Sequence, residues 1–587
     1  MPHLFEIDEI QEAYLKLKQH MYYDSSNTNL PLRKSISEFE NLGKEKKEKL
    51  YVEIQKAFLT KKQMDSFLNK YLSEIGYNLI PKSIKPENGT DDSVITNNRK
   101  FKSKNIADRY NLIIDAPISI HLISVLWIMQ KGPDFDNKLS DTCYGNRLIL
   151  KENESGVVSG RGCFKPYIKQ YQSWRDDGVE KAKANLDAGI DVAFVNLDIT
   201  EYYYHIKLNW NDLPKSDFKA LNKINYPLKR IHQYYSNLLF DDFEGEFQFS
   251  SRKKEKETDI KETILPIGLM SSYVLANYYL LKWDKLVKNE LKPLYYGRYV
   301  DDILMVISNP NSDYKEIESL LKDKIKGFNS EVSEVPDSVK FVVKNLPTVL
   351  NIEQFQSGEK SRETDYRIRL KELDELFLQP NKMMLYEFKA DQSLSVIEKL
   401  KKDLEEKSSE FRFLATDMDG SFDSKAFELL YDNSFGKPKT LKDYKENRYG
   451  ISAFLAKRIN ASLRVEREHV VHESEKILAF FQGVNAIRFY QQWERIFTYL
   501  IVNQRKMELL KFYKIVLKEI DQVRIRKDDE NYDDDLSQNI KRSLFKYLNI
   551  SLSLALSLDP GFFKGYLQKQ FNFIENNPEY RIGQYNE

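Results

Sequence analysis

The chain has 587 residues, 41% of them hydrophobic and 30% charged, with a formal net charge of +1. That length suits roughly two to four domains, each with its own core. The composition excludes a disordered polymer, and the near-neutral balance argues against a dedicated duplex-binding module, though a local cleft can be basic on a neutral protein. No run of about 18 apolar residues occurs, so no membrane-spanning helix is expected. The opening "MPHLFEIDEIQEAYLKLKQH" is mixed in charge, unlike a secretory leader. Cys143 and Cys163 are the only cysteines, which leaves no disulfide framework or cysteine zinc site and fits a reducing cytoplasm.

In chain order, residues 1–80 read as helices, with apolar positions at i, i+3 and i+4 in "EKLYVEIQKAFLTKKQMDSFLNKYLSEI". A polar, turn-rich link follows from Lys85 to Asn105. From about Arg109 to Val349, short β-like runs such as "VAFVNLDI" and "LYYGRYVDDILMVI" alternate with helical patterns, and "FSSRKKEKETDIKE" reads as an exposed insertion. After about Leu373 the pattern is almost wholly helical, without a fixed-period repeat. The acidic "KDDENYDDD" reads as a solvated loop. The expected division is a helical extension over 1–100, an α+β body over 101–372 and a helical region over 373–587.

The chemistry concentrates in three stretches. In "RYVDDILMV", Asp301 and Asp302 interrupt an apolar, strand-like run. Either they are solvated at a hairpin tip, or they hold a cation, because a strand core rejects uncompensated charge. "VAFVNLDITEYYYHI" places a third carboxylate, Asp198, where another apolar run meets a turn. If the two strands are neighbours, the carboxylates converge, as a two-metal site requires. Between them, "ILPIGLMSSYVLANYYL" turns at Pro266 and Gly268 into an amphipathic helix, and glycine there would admit a flat partner such as a base pair. His469 and His472 have a metal-like spacing without a third ligand and read as a helix surface or a nucleic-acid contact. "FKPYIKQYQSWRD" mixes basic and aromatic residues, as a single-strand groove or a packed amphipathic helix would.

The order Asp-x4-Tyr, Leu-Pro-x-Gly-x3-Ser, Tyr-x-Asp-Asp resembles motifs A, B and C of reverse transcriptases, and "CYGNRL" resembles their Tyr-Gly-x-Arg fingers element. The resemblance implies a right-hand polymerase, with fingers and palm over 101–372 followed by a helical thumb or assembly region. It makes Asp198, Asp301 and Asp302 the catalytic, magnesium-binding carboxylates and Tyr203 a steric gate against a ribose 2′-hydroxyl. Gly268 and Ser272 would line the nascent base pair, Arg109 would bind triphosphate and Arg147 would brace the fingers. Lys344 and Lys360 both compete for the motif D lysine. Ile267 and Tyr273 replace the usual Gln and Pro of motif B, and no second basic residue stands near Pro117–Ile118. These departures resemble the abortive-infection and defence-associated reverse transcriptases of bacteria, and "LSDTCYGNRL" followed by "FKPYIKQYQSWRD" is similar to the second enzyme of the type 3 defence system. That likeness implies synthesis of low-complexity DNA from deoxynucleoside triphosphates with Mg2+, with possible priming from a tyrosine hydroxyl. It further implies a noncoding RNA, a companion reverse transcriptase and an oligomer in the cytoplasm, away from membranes. The rival expectations are an RNA-dependent RNA polymerase and a non-catalytic nucleic-acid-binding subunit with a relict palm.

Overall fold

The computed structural model describes residues 3–23, 29–87, 104–152, 156–214, 221–243, 262–311, 335–354, 366–391, 448–463, 470–527 and 531–565. Helices α1 (Ile7–Tyr23), α2 (Leu30–Glu40), α3 (Lys44–Ala57) and α4 (Lys61–Tyr71) precede strands β1 (Gly76–Pro86) and β2 (Asn105–Asp115). Helices α5 (Ile118–Asp136) and α6 (Tyr167–Asp187) lead to β3 (Val192–Asp198) and the single turn α7 (Tyr202–His205). Strand β4 (Leu208–Asn209), helix α8 (Asn225–Asp242) and strand β5 (Glu262–Thr263) come next. Then follow α9 (Met270–Tyr279), α10 (Leu281–Leu286), β6 (Tyr295–Tyr299) and β7 (Asp302–Ser308). Strands β8 (Leu350–Gln354), β9 (Tyr366–Leu370), β10 (Leu373–Leu378) and β11 (Met384–Phe388) close this region. Beyond Arg448 the described chain is helical, apart from β12 (Val523–Arg526) and β13 (Tyr532–Asp533). No described helix is long and apolar enough to cross a membrane.

Two compact units share this chain. The first comprises Met1–Tyr23, Lys44–Ile75 and Pro117–Phe411; the second comprises Asp24–Gly43, Gly76–Ala116 and Arg412–Glu587. The first unit is organised on a four-stranded sheet in the order β11-β3-β7-β6, all antiparallel. The register places residues 192, 194, 196 and 198 of β3 on one face with 302, 304 and 306 of β7. Helix α6 covers that face with Trp174, Val179, Ala182 and Leu186, which pack on Phe194, Tyr295, Leu304 and Val306. These α6 positions recur at near-helical spacing, so one stripe is apolar. The other face meets α9 and α10, where Trp283 packs edge-on against Tyr296. The two central strands, β3 and β7, are covered on both faces and carry charge only at their ends.

In the second unit, β2 lies between β1 and β12 in the order β1-β2-β12-β13. Strand β12 runs parallel to β2 and pairs Val523 with Asn105. Helix Asp534–Leu556 supports this sheet: Ser543 Oγ accepts from Leu79 N, and Ser537 Oγ from Ile525 N.

Three expectations need correction. Residues 76–86 are a strand, not the end of a helical extension over 1–100. Pro81 and Pro86 lack the N–H that a helix interior needs, and the ladder is irregular between Pro81 and Ser83. The α+β body does not stop at 372, because β10 pairs with β9 and β11 pairs with β3. Here "LFLQPNKMMLYEF" is two strand runs about a proline turn rather than the onset of helix. The acidic segment near 530 is only partly a loop. Asp533 caps the helix that follows, accepting from Leu536 N at 2.9 Å, with Asp534 and Asp535 in its first turn. The bulk of the expected insertion at "FSSRKKEKETDIKE" lies outside the described residues, as do Lys360 and His469.

Candidate active site

Strands β6 and β7 are joined by two residues, Val300 and Asp301, with Tyr299 paired to Asp302. Val300 has φ +59°. A positive φ at the first central residue of a two-residue hairpin is normally taken by glycine. A β-branched residue there carries strain on the order of 1–3 kcal/mol. The turn therefore projects Asp301 and Asp302 from a bent, over-determined backbone rather than from a relaxed loop.

Asp198 ends β3 directly opposite Asp302. Residues so paired have Cβ atoms about 4.5–5.5 Å apart, and like charges in this position destabilise a sheet. The sheet thus brings together the carboxylates from its two central strands, with Asp302 rather than Asp301 as the register partner of Asp198. The charge of Asp301 reaches Tyr202 and Tyr203, and that of Asp302 reaches Tyr171 on α6; each raises the tyrosine it faces, though burial is the larger cause.

A cation already answers part of this charge. Lys382, in the turn Pro380–Lys382 before β11, donates to Asp198 Oδ2 at 2.9 Å. The turn is tied to the same residue through its backbone, Gln379 N donating to Asp198 O at 2.9 Å. Among the described residues no group of three or more acidic, histidine or cysteine side chains is placed to hold a metal ion. An open, oxygen-only pair of strand-end carboxylates suits Mg2+, which is commonly held by one or two carboxylates together with substrate phosphates.

Tyr203 is half-buried beside Tyr202, with ring centroids 5.7 Å apart, and its backbone O accepts from Leu265 N. Its hydroxyl is pushed well up by burial first, then by Tyr273 and Asp301. Tyr203 is thus within electrostatic reach of both Asp301 and Tyr273, the residue that stands where motif B usually has proline. Tyr273 belongs to an aromatic trio with Phe164 and His20 of α1, centroids 5.7–5.8 Å apart. Gly268 has φ +96°, the conformation a turn into α9 requires. Ser272 is fully buried and its hydroxyl has no hydrogen-bond partner among the described residues. Arg147 is turned inward: it forks onto Asp136 at 3.0 and 3.1 Å and donates to the carbonyls of Ser140 and Cys143. Arg109 lies on β2 in the second unit, opposite Ser83, and is not part of the unit that carries the aspartates. Lys344 lies on the helix Asp337–Asn345 of the first unit.

Two residues of this site escaped the motif reading. Lys382 lies 184 residues from Asp198, past the expected domain boundary. Its signal was a turn between two strand-like runs. Arg298 stands one residue before Tyr299, buried at 0% exposure, and forks onto Asp284 of α10 at 2.8 and 3.0 Å. A guanidinium inside an apolar strand demands a buried partner, and the arginine in "YYGRYVDD" was the one signal that could have pointed to it.

Residues 137–340 match the family model for reverse transcriptase (RNA-dependent DNA polymerase). The chain therefore carries a reverse transcriptase domain, the fold of a nucleotide-polymerising enzyme. The match includes the three aspartates, Tyr203 and Gly268; Arg109 and Lys382 fall outside it. No curated protein matches the chain.

Proposed function

We propose that this chain is a catalytically competent DNA polymerase of the reverse transcriptase type that uses deoxynucleoside triphosphates and Mg2+. The observation that carries the reading is the opposition of Asp198 and Asp302 across β3 and β7, with Asp301 in the strained turn between strands. Divalent metal bound there would activate a primer hydroxyl and balance charge on the departing pyrophosphate. The residues that would hold it are Asp198, Asp301 and Asp302. Tyr203 would close the space beside the sugar 2′ position and select deoxynucleotides. Gly268 would leave bare backbone under the nascent base pair. Lys382 balances Asp198 when no other cation does, and its long side chain can leave without disturbing the sheet.

Antiphage defence, a noncoding RNA, a companion reverse transcriptase and an oligomeric assembly belong to this proposal through the likeness of "LSDTCYGNRL" and "FKPYIKQYQSWRD" to the defence-associated enzymes. Self-priming from a tyrosine hydroxyl belongs to it on the same ground. One observation favours a second reading, a nucleic-acid-binding subunit with a silent palm: Lys382 sits where a cation is needed for chemistry.

The deciding experiment supplies purified protein with each labelled deoxynucleotide and Mg2+, with and without added RNA primer-template, and digests the products with protease. Label that disappears in D301A/D302A supports the polymerase, and a mobility shift on proteolysis marks a protein primer. Absence of label under every condition, including co-purified native partners, favours the silent palm.

A further inference from the structure

The turn Val300–Asp301 is unfavourable for a β-branched residue, so something must hold it. Arg298 is built for that task. All five of its N–H groups are used: Nε and Nη2 reach Asp284, Nη2 also reaches Asn277 O, and Nη1 donates to Asn277 Oδ1 at 3.0 Å and to Val300 O at 2.9 Å. The last of these fixes the carbonyl that immediately precedes Asp301. From the other side the segment 142–145 lies against the same turn. Tyr144 N donates to Arg298 O and Arg298 N to Thr142 O, both at 2.8 Å. Asn277 Nδ2 donates to Gly145 O at 2.7 Å. Gly145 is so close that a Cβ there would come 2.8 Å from both Val300 Cγ2 and Val300 N.

We propose that Arg298 is a positioning residue for catalysis: with Gly145 it clamps Val300 in its left-handed conformation and so sets the placement of the metal-binding Asp301 and Asp302. Arg298 touches neither substrate nor metal; it acts through the Val300 carbonyl. Lysine cannot replace it, because one ammonium cannot span Asp284, Asn277 and Val300 together. The clamp also makes the "CYGNRL" segment part of the catalytic turn's support. This inference rests on the polymerase reading.

Binding of Mn2+ to the full-length protein, read by loss of the free-ion electron paramagnetic resonance signal, tests it without reference to turnover. R298K should raise the Mn2+ half-saturation concentration by about tenfold or more, as loss of an outer-sphere support does. V300G removes the strain that the clamp opposes, so in the V300G background the same R298K change should cost less than about threefold. An equal loss in both backgrounds overturns the clamp and leaves Arg298 a general core residue. If R298K does not fold by circular dichroism, G145A decides: folded protein with about tenfold weaker Mn2+ binding supports the clamp, and wild-type binding overturns it. If D301A/D302A loses the ion while R298K and G145A keep it, the catalytic reading stands and the clamp alone fails. If D301A/D302A binds Mn2+ as the wild type does, the catalytic reading falls and the clamp falls with it.

Discussion

The ammonium of Lys382 and the carboxylate of Asp198 form an ion pair at 2.9 Å, joining the turn before β11 to the end of β3. The lysine side chain is 41% exposed and the aspartate 17%. Such a partly solvated pair is worth at most about 1 kcal/mol. On the proposed reading, a divalent ion at Asp198 would have to displace this pair, a cost of that size.

Lys382→Ala should therefore lower the half-saturating Mg2+ concentration by up to about fivefold, the equivalent of that energy. Initial rates measured across a Mg2+ titration give this directly. A simultaneous fall in the rate at saturating Mg2+ would show that the lysine also acts during turnover. An unchanged titration would remove it from the site.

Asp302→Asn should abolish nucleotide incorporation and at the same time stabilise the first unit. It relieves two like charges placed opposite each other on neighbouring strands, an effect of about 0.2–1 kcal/mol. Thermal melting with and without Mg2+ distinguishes the two consequences. The variant should melt higher than the wild type in a chelator and should lose the added stabilisation that Mg2+ gives the wild type.

Tyr203→Val should raise the ratio of ribo- to deoxynucleotide incorporation by about tenfold or more, because removing the ring opens space for a 2′-hydroxyl. Competing labelled GTP and dGTP over one template reads this ratio. A wild-type protein that already prefers ribonucleotides would instead support an RNA polymerase.

His232 supplies a prediction about acid. It is fully buried against Trp210, its Nδ1–H donates to Ile264 O at 3.2 Å, and its Nε2 has no hydrogen-bond partner among the described residues. Burial pulls its pKa down to about 3. Between about pH 6.5 and 3 the unfolded chain binds a proton that the native state refuses. Stability from this group is thus complete above about pH 6.5 and lost as pH falls, at about 1.4 kcal/mol per unit. Urea unfolding of the wild type and His232→Gln at pH 7, 6, 5 and 4 should show a shallower acid decline in the variant.

The strands β3, β6 and β7 were legible because each is an apolar run ending in a feature that a core rejects. The sequence of β3 stops at Asp198, and β6 and β7 break at the paired aspartates. Gly268 was legible for the same local reason, a turn entering a helix. Arg147 was singled out from its motif, but its partner Asp136 was not, because no local pattern marks a buried carboxylate on the last turn of α5. Lys382 and Arg298 depend on pairings across sequence distance, which periodicity does not encode. The division into units was hidden for a similar reason. Strand β1 was read with the helices before it, although its true neighbours are β2 and the helix Asp534–Leu556.

The same pairing has a consequence for biosynthesis. Asn105, next to the edge that β2 offers to β12, hydrogen-bonds through Nδ2 to Glu519 across 414 residues. At ribosomal speeds of about 5–20 residues per second, β2 waits roughly 20–80 s for its neighbour to be made. Until then the nascent chain carries a finished hairpin with one bare strand, the kind of edge that recruits other chains. Ribosome stalling or premature termination between residues 115 and 523 would leave that edge unpaired, and the fragment would depend on a chaperone or aggregate.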